Sequence, residues 1–297
     1  MTLRTLRAIL PLLLLITGAL SARAGTADST WTMMSFNLRY AGGDTGEHSW
    51  EARREAVAQR VRGVGADIVA TQECLALQAE DLRRLLPDFA LAGVGRDDGD
   101  LLGEMCAILW RRDRFIKLEE GHRWHAEPGL LPSPPDADAA CVRMFSWVLL
   151  AEKSAPGRRL LVVDTHLDHV GAQARERAAL RLRTFLQEHA RNVPVVVMGD
   201  FNCPAEAGSR PWQILTETGL PQLKDSFRAL HAPDELPEGT FHGFTGKDQP
   251  ARIDWILSGG GLCPLQSWID RQRVDGVVPS DHHPVVTVFQ PPVEGVR

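Results

Sequence analysis

The sequence predicts an α/β fold in which two sheets pack face to face with helices outside them. Three observations carry that prediction. Short apolar, β-branched runs alternate with stretches of helical periodicity through the first half of the chain, and runs of strands fill the second half. Several of these runs, Val195-Val196-Val197 most plainly, are apolar at every position, as strands covered on both faces are. No internal repeat, low-complexity tract or linker divides the chain, so residues 25–297 read as one domain.

Taken in order, Trp31 to Asn37 is an apolar strand that ends on an asparagine. A polar, Gly-containing loop from Ala41 to Ser49 follows. Trp50, Val57, Val61 and Val64 then recur at helical spacing and predict an amphipathic helix over Glu51–Arg62. Asp67 to Glu73 is a second buried strand, ending on a carboxylate, and a helix over Leu75–Leu86 stops at Pro87. Met105 to Trp110 is a strand entered through Gly103-Glu104. Glu127 to Ala139, rich in proline and aspartate, is a surface loop. Val142–Leu150 and Arg159–Leu167 pair around a turn at Lys153–Gly157. The longest helix, Ala172–Arg191, has an apolar side of Ala178, Leu182, Phe185, Leu186 and His189. After the strand at Val195–Val197 come a short helix over Pro211–Thr218 and two late strands, Ile253–Leu257 and Val285–Phe289.

The first residues are read as a secretory leader rather than as part of the fold. Arg4 and Arg7 precede an apolar run from Ala8 to Ala19, and Ala22-Arg23-Ala24 offers a small-x-small cleavage site, giving a leader over 1–24. The run falls short of the roughly 20 residues that span a bilayer. The expectation is therefore a periplasmic or secreted protein without stable membrane insertion, and a monomer. Cleavage after Ala24 removes three of the 33 basic residues, leaving 30 against 38 acidic ones, a net charge of −8. That balance disfavours tight, sequence-independent binding to duplex phosphates. The five cysteines have no CxxC spacing and are odd in number, so at least one thiol has no intrachain partner.

Chemistry gathers at the strand ends. Asp200 and Asn202 stand two apart, which on an extended backbone lets both face one ligand. Taken alone, Gly199-Asp200-Phe201-Asn202 fits equally a strand closed by an Asx turn. The same theme recurs at Asn37, at Glu73, at His166, at Asp254, and in Ser280-Asp281-His282-His283-Pro284 before the last strand. A buried carboxylate costs several kcal/mol unless it is paired or bound to a cation. Four carboxylates, two histidines and two asparagines at strand ends therefore point to one convergent site. Carboxylate and carboxamide oxygens with few thiolates suit a hard cation, Mg²⁺ or Mn²⁺.

Seven short segments occur in a telling order: Ser35-Phe36-Asn37, Thr71-Gln72-Glu73, Gly103-Glu104, Thr165-His166-Leu167-Asp168-His169, Gly199-Asp200-Phe201-Asn202, Arg252-Ile253-Asp254-Trp255 and Ser280 to Pro284. In that register the chain resembles the endonuclease/exonuclease/phosphatase superfamily of metal-dependent phosphoesterases, from about Met33 to Phe289. It is most similar to small secreted bacterial members that carry Phe36 to Tyr40 and Ser49-Trp50 with Arg53. The resemblance implies a four-layer α-β-β-α sandwich of two packed mixed sheets, DNase I-like, and phosphodiester hydrolysis by in-line attack of water. It also implies Glu73 as principal Mg²⁺ ligand with Asn37 and Asp281, and Asp200, helped by Asn202, as the group that positions the attacking water. His166 and His282 would flank the scissile phosphate. Asp254 would hydrogen-bond His282, Glu104 would hydrogen-bond His166, and Arg143 would contact phosphate.

Other residues carry weaker signals. His169 either approaches substrate or caps the following helix, and His283 alternates away from the site. Cys74 and Cys203 point away by the same alternation, and Trp50, Arg53 and Arg39 form either a substrate rim or a packed Trp with surface charges. Thr240 to Phe244 is a loop whose rings either pack or cover a ligand. A serine hydrolase lacks its GxSxG elbow. A three-histidine zinc site built from His166, His169 and His282 leaves Glu73, Asn37 and Asn202 without a role. A phosphomonoesterase acting on a sugar or inositol phosphate, a sphingomyelinase-type lipid phosphodiesterase and a non-catalytic binding module are the alternatives.

Overall fold

The computed structural model describes residues 30–217 and 219–292. The expected leader, 1–24, and Thr218 at the end of the expected short helix lie outside the described residues. Two six-stranded sheets hold the described strands. The first runs through β11 (Cys263–Ile269), β12 (Val285–Gln290), β1 (Trp31–Asn37), β2 (Ile68–Cys74), β4 (Met105–Arg111) and β3 (Phe89–Ala92). The second runs through β5 (Phe115–Trp124), β6 (Met144–Glu152), β7 (Ala155–His166), β8 (Val195–Asp200), β10 (Asp254–Gly259) and β9 (Lys224–Asp225).

Strand alternation sorts the core into three slabs. Met33, Ile68, Ile108, Val162, Val196 and Met198 fill the space between the sheets. Met34, Phe36 and Val69 face outward onto α1 (Trp50–Gly63) and α2 (Ala76–Leu85), through Val57, Val61 and Leu82. Val195 and Val197 face the other way, onto α3 (Ala172–His189) and α4 (Arg210–Thr216), through Leu182, Phe185 and Leu215. Helix, sheet, sheet and helix thus form the four layers that the sequence led us to expect.

Each sheet has one parallel pair, β1 with β2 and β7 with β8. Parallel neighbours need a crossover, and α1 and α3 lie between them in the chain. The pairing has a consequence for function. Parallel strands finish at the same edge, so Asn37 and Glu73 come together in one sheet, and His166 and Asp200 in the other. Antiparallel β10 and β12 start at that edge, which brings Asp254 opposite Asp200 and sets Asp281 and His282 just before Val285.

The differences from expectation have physical causes. Four strands escape the sequence reading: β3, β5, β9 and β11. Of these, β5 is an edge strand, exposed over Ile116 to Glu120 with Lys117, Glu119 and Glu120 along it, so it lacks a buried apolar run. β11 is another edge strand, broken in register at Pro264, and β9 has only two residues. The turn expected over Lys153–Gly157 is tighter, because β7 already begins at Ala155. The α3 helix ends at His189 rather than Arg191.

Gly199 is required by this register. It pairs with Thr165 between the two parallel strands, and a Cβ there would sit 2.0 Å from the Thr165 carbonyl oxygen. Gly199→Ala should therefore push β7 and β8 apart just before His166 and Asp200, costing on the order of 2–4 kcal/mol. Chemical denaturation measures this; a loss below about 0.5 kcal/mol would show that the close approach is dispensable.

Candidate active site

Asp200 sits at the centre. It is almost wholly buried, and its Oδ2 accepts from Asn37 Nδ2 of the opposite sheet at 3.0 Å. His166 Nε2 lies 3.4 Å from the same oxygen and His282 Nε2 3.9 Å from it, while Oδ1 accepts from the Asn202 backbone at 2.9 Å. Burial opposes ionisation, but the two imidazoles and the Asn202 N–H outweigh it and hold the carboxyl well below its usual range.

Beside it lies an acidic pair. Glu73 has φ 58° at a register break between β2 and β4, a backbone state unusual for a residue with a side chain. Its carboxylate is fixed by the Tyr40 N–H at 3.0 Å and the Asn37 amide at 3.1 Å. Burial raises its pKa, yet the charges of His166 and His282 and these two donors bring it below normal. Asp281 behaves oppositely: burial first, and then the nearby Glu73 charge, raise it despite His282 and Arg39.

His282 Nδ1 is 2.9 Å from Asp254 Oδ2, as the sequence led us to expect. Burial alone would depress the imidazole, but Asp254, then Asp200 and Asp281, hold its pKa up at about 10. His282 therefore stands as a buried cation among carboxylates at neutral pH.

The other sequence-derived residues are placed as follows. Glu104 lies 3.7 Å from His166 Nδ1, beyond hydrogen-bond distance, because Arg96 takes both of its oxygens at 2.7 and 2.9 Å. Arg143 is buried nearby, 3.9 Å from Glu104, and donates to His169 Nδ1 at 3.0 Å. Asn202 stands past the strand end with φ 50°, so simple alternation does not aim it; its amide donates to the Leu167 carbonyl at 3.0 Å. The Asx turn and the convergent carboxylate, posed as alternatives in the sequence, are thus both present at Asp200. Trp50 is buried and donates to Asp81, His283 pairs with Asp248, and all five cysteines are free.

Two arginines went unread in the sequence as supports of the site. Arg96 holds Glu104. Arg53 is fully buried and donates to the carbonyls of Leu38, Arg39, His48 and Pro279, at 2.6 to 3.2 Å. It ties the loop after Asn37 to the segment before Asp281. The only hint was its position three residues after Trp50.

The donor set fits a hard divalent cation on the side of Glu73 and Asp281. There two carboxylates press on one another, and the Glu73 charge raises Asp281. The Asn37 oxygen accepts from the Arg39 N–H at 3.0 Å and keeps a second lone pair, while its Nδ2 donates to both Glu73 and Asp200. Asp200, Asp254 and His282 also stand close enough to share an ion. A protonated His282 bonded to Asp254, however, has no lone pair to offer. The remaining cluster, Cys141, Asp168 and His169, is engaged already: Asp168 accepts the backbone N–H groups of Ala140, Val170 and Gly171, and Arg143 covers His169.

A buried aspartate between two imidazoles, with two carboxylates beside it that suit a cation, can orient water and stabilise charge on phosphoryl oxygens. The fold and this site define a phosphoric ester hydrolase. The chain belongs to the Endonuclease/Exonuclease/phosphatase family, whose model matches residues 34–282, and the enzymes of that family depend on a divalent metal. A family protein from Bacteroides thetaiotaomicron is 30% identical with a TM-score of 0.78, over 88% of this chain and 97% of its own. Another from Bacteroides vulgatus is 28% identical with a TM-score of 0.78, over 89% and 100%. A mannosyl-6-phosphatase from Bacteroides thetaiotaomicron is 29% identical with a TM-score of 0.75, over 86% and 98%. These neighbours share the DNase I-like sandwich. No curated protein matches the chain.

The His282–Asp254 pair links pH to stability. The folded pKa of about 10 lies above the ordinary 6.5, so its contribution is complete below pH 6.5 and is lost as pH rises through 10. In metal-free protein, NMR titration should place His282 near pH 10, and Asp254→Asn should bring it down toward 6.5 or below. A wild-type midpoint near 6.5 would contradict the buried ion pair.

Proposed function

We propose that the protein is a secreted, Mg²⁺-dependent phosphoesterase that cleaves by in-line attack of water at phosphorus. The observation that carries this reading is Asp200, set between two imidazoles and joined through Asn37 to Glu73. In it, Asp200 accepts a hydrogen bond from the attacking water and orients it. His282, protonated through Asp254, donates to a phosphoryl oxygen or to the departing one, and His166 flanks it. Glu104, fixed by Arg96, steadies the His166 side, and Arg143 offers its guanidinium to phosphate. Glu73 and Asp281, with Asn37, would hold a divalent ion, which when bound would supply charge stabilisation to phosphoryl oxygens. Mg²⁺ is the ion proposed, with Mn²⁺ as substitute.

The leader over 1–24 supports export to the periplasm or beyond, and 25–297 acts as a monomeric, single-domain enzyme. Among the described residues no helix is long and apolar enough to cross a membrane. The sequence favoured a diester. The likeness to a mannosyl-6-phosphatase supports a second reading, a monoester of a sugar.

Purified protein should hydrolyse p-nitrophenyl phosphate or its bis ester with Mg²⁺ and stop in EDTA. Asp200→Asn and His282→Ala should each lower turnover on the order of 10²–10⁴-fold, and His282→Ala should also lower thermal stability, because it leaves Asp254 buried without its cation. Wild-type rates in either variant would remove these assignments.

A further inference from the structure

A cavity of about 680 Å³ adjoins the reacting centre, within the roughly 300–1,000 Å³ usual for small-molecule sites. Its walls come from the loop after β1, the loop before β10 and the connection from β11 to β12. Ser280 and His282 line it. The wall is fastened to the site's own backbone, because the N–H groups of His242 and Gly243 both donate to the Asp281 carbonyl, at 2.9 and 3.2 Å. None of the chemistry above uses this space.

Three features define what fits there. Its charges are paired off: Arg60 bonds Asp270 at 2.7 Å and Arg271 bonds Asp248 at 3.0 Å. Arg60, Arg271 and Arg273 face Glu47, Asp248, Asp270 and Asp275, so the lining has no surplus of cations for a phosphate chain. A half-buried ring wall stands on one side, where Phe244 stacks on His48 at 4.2 Å and 10°. Hydrogen-bonding groups stand around it. His242 Nδ1 accepts the Phe244 N–H, which leaves the proton on Nε2; that atom is buried and has no partner in hydrogen-bond geometry.

Ring surface from Phe244 and His48, one unpaired imidazole donor and carboxylates that keep further lone pairs suit a molecule with a C–H face and several hydroxyls. We infer that this cavity holds the alcohol portion of the phosphoester and that this portion is an uncharged monosaccharide. The inference rests on the phosphoesterase reading and names its substrate class. Water supplies the oxygen that bonds phosphorus as the phosphorus–sugar oxygen bond breaks. Net, the same water supplies the proton taken up by the departing sugar oxygen, leaving free sugar and inorganic phosphate.

The test compares kcat/KM for hexose 6-phosphates, 5′-AMP, p-nitrophenyl phosphate and its bis ester, in wild type and in Phe244→Ala. A hexose phosphate should be the best of these substrates, and the variant should lower its kcat/KM relative to p-nitrophenyl phosphate about tenfold or more. Gln272→Ala, at the exposed rim, serves the same comparison if Phe244→Ala does not fold. Saturation-transfer NMR should also show the free hexose binding to wild type and released by the variant. Preference for 5′-AMP, or equal loss on every substrate, would overturn the sugar subsite while leaving the phosphoesterase intact. Absence of hydrolysis of all four would instead overturn the phosphoesterase reading itself.

Discussion

A carboxylate buried between two sheets is the constraint on which this molecule depends. Asp200 ends β8 with almost no exposure, and a lone charge in that position would cost several kcal/mol. Its compensation comes from three other chain segments: Asn37 from the facing sheet, His166 from the parallel neighbour, and His282 from before β12. Each partner reaches it only if its strand keeps register. Gly199 permits the approach of β7 that brings His166 in, and Asn37 joins the sheets at their working edge. Fold and site are therefore satisfied by one set of contacts.

The carboxylates divide according to what already neutralises them. Asp200 is held down by two imidazoles and Asp254 bonds His282, although burial and the Asp200 charge still raise Asp254, while His166 and His282 also lower Glu73. Glu73 and Asp281 repel one another, and Arg39 approaches Asp281 only at 3.8 Å. On the Glu73 side, Arg39 and Glu73 have φ of 57° and 58°. Such conformations cost on the order of 1–3 kcal/mol each and persist where surrounding contacts over-determine them. Arg53, with four carbonyl acceptors, and the Asn37–Glu73 bond are contacts of that kind.

Much of this was legible in the chain because it rests on local pattern. Val195 to Val197 announced a strand covered on both sides, and the polar residues ending Trp31–Asn37, Asp67–Glu73 and Val195–Asp200 announced a shared edge. What was not legible depends on neighbours distant in sequence. Glu104 looked like a partner for His166, but Arg96, eight residues before it, competes with a bidentate grip. Asn202 looked aligned with Asp200 until the chain turned out of the strand at Phe201. β5 and β11 went unseen because edge strands expose polar side chains or tolerate proline, which erases the periodic signal. Arg53 reads as an ordinary surface charge on a helix, and only the packed structure reveals that it is buried among carbonyls.

In the proposed arrangement Glu73 and Asp281 are kept for a cation, while Asp200 and His282 are matched to one another. Anomalous diffraction from crystals grown with Mn²⁺ tests it most directly. The account predicts one strong peak within bonding distance of Glu73 and Asp281 oxygens, with His282 still on Asp254. A peak ligated by Asp200, Asp254 and His282, or by Cys141, Asp168 and His169 alone, would contradict it.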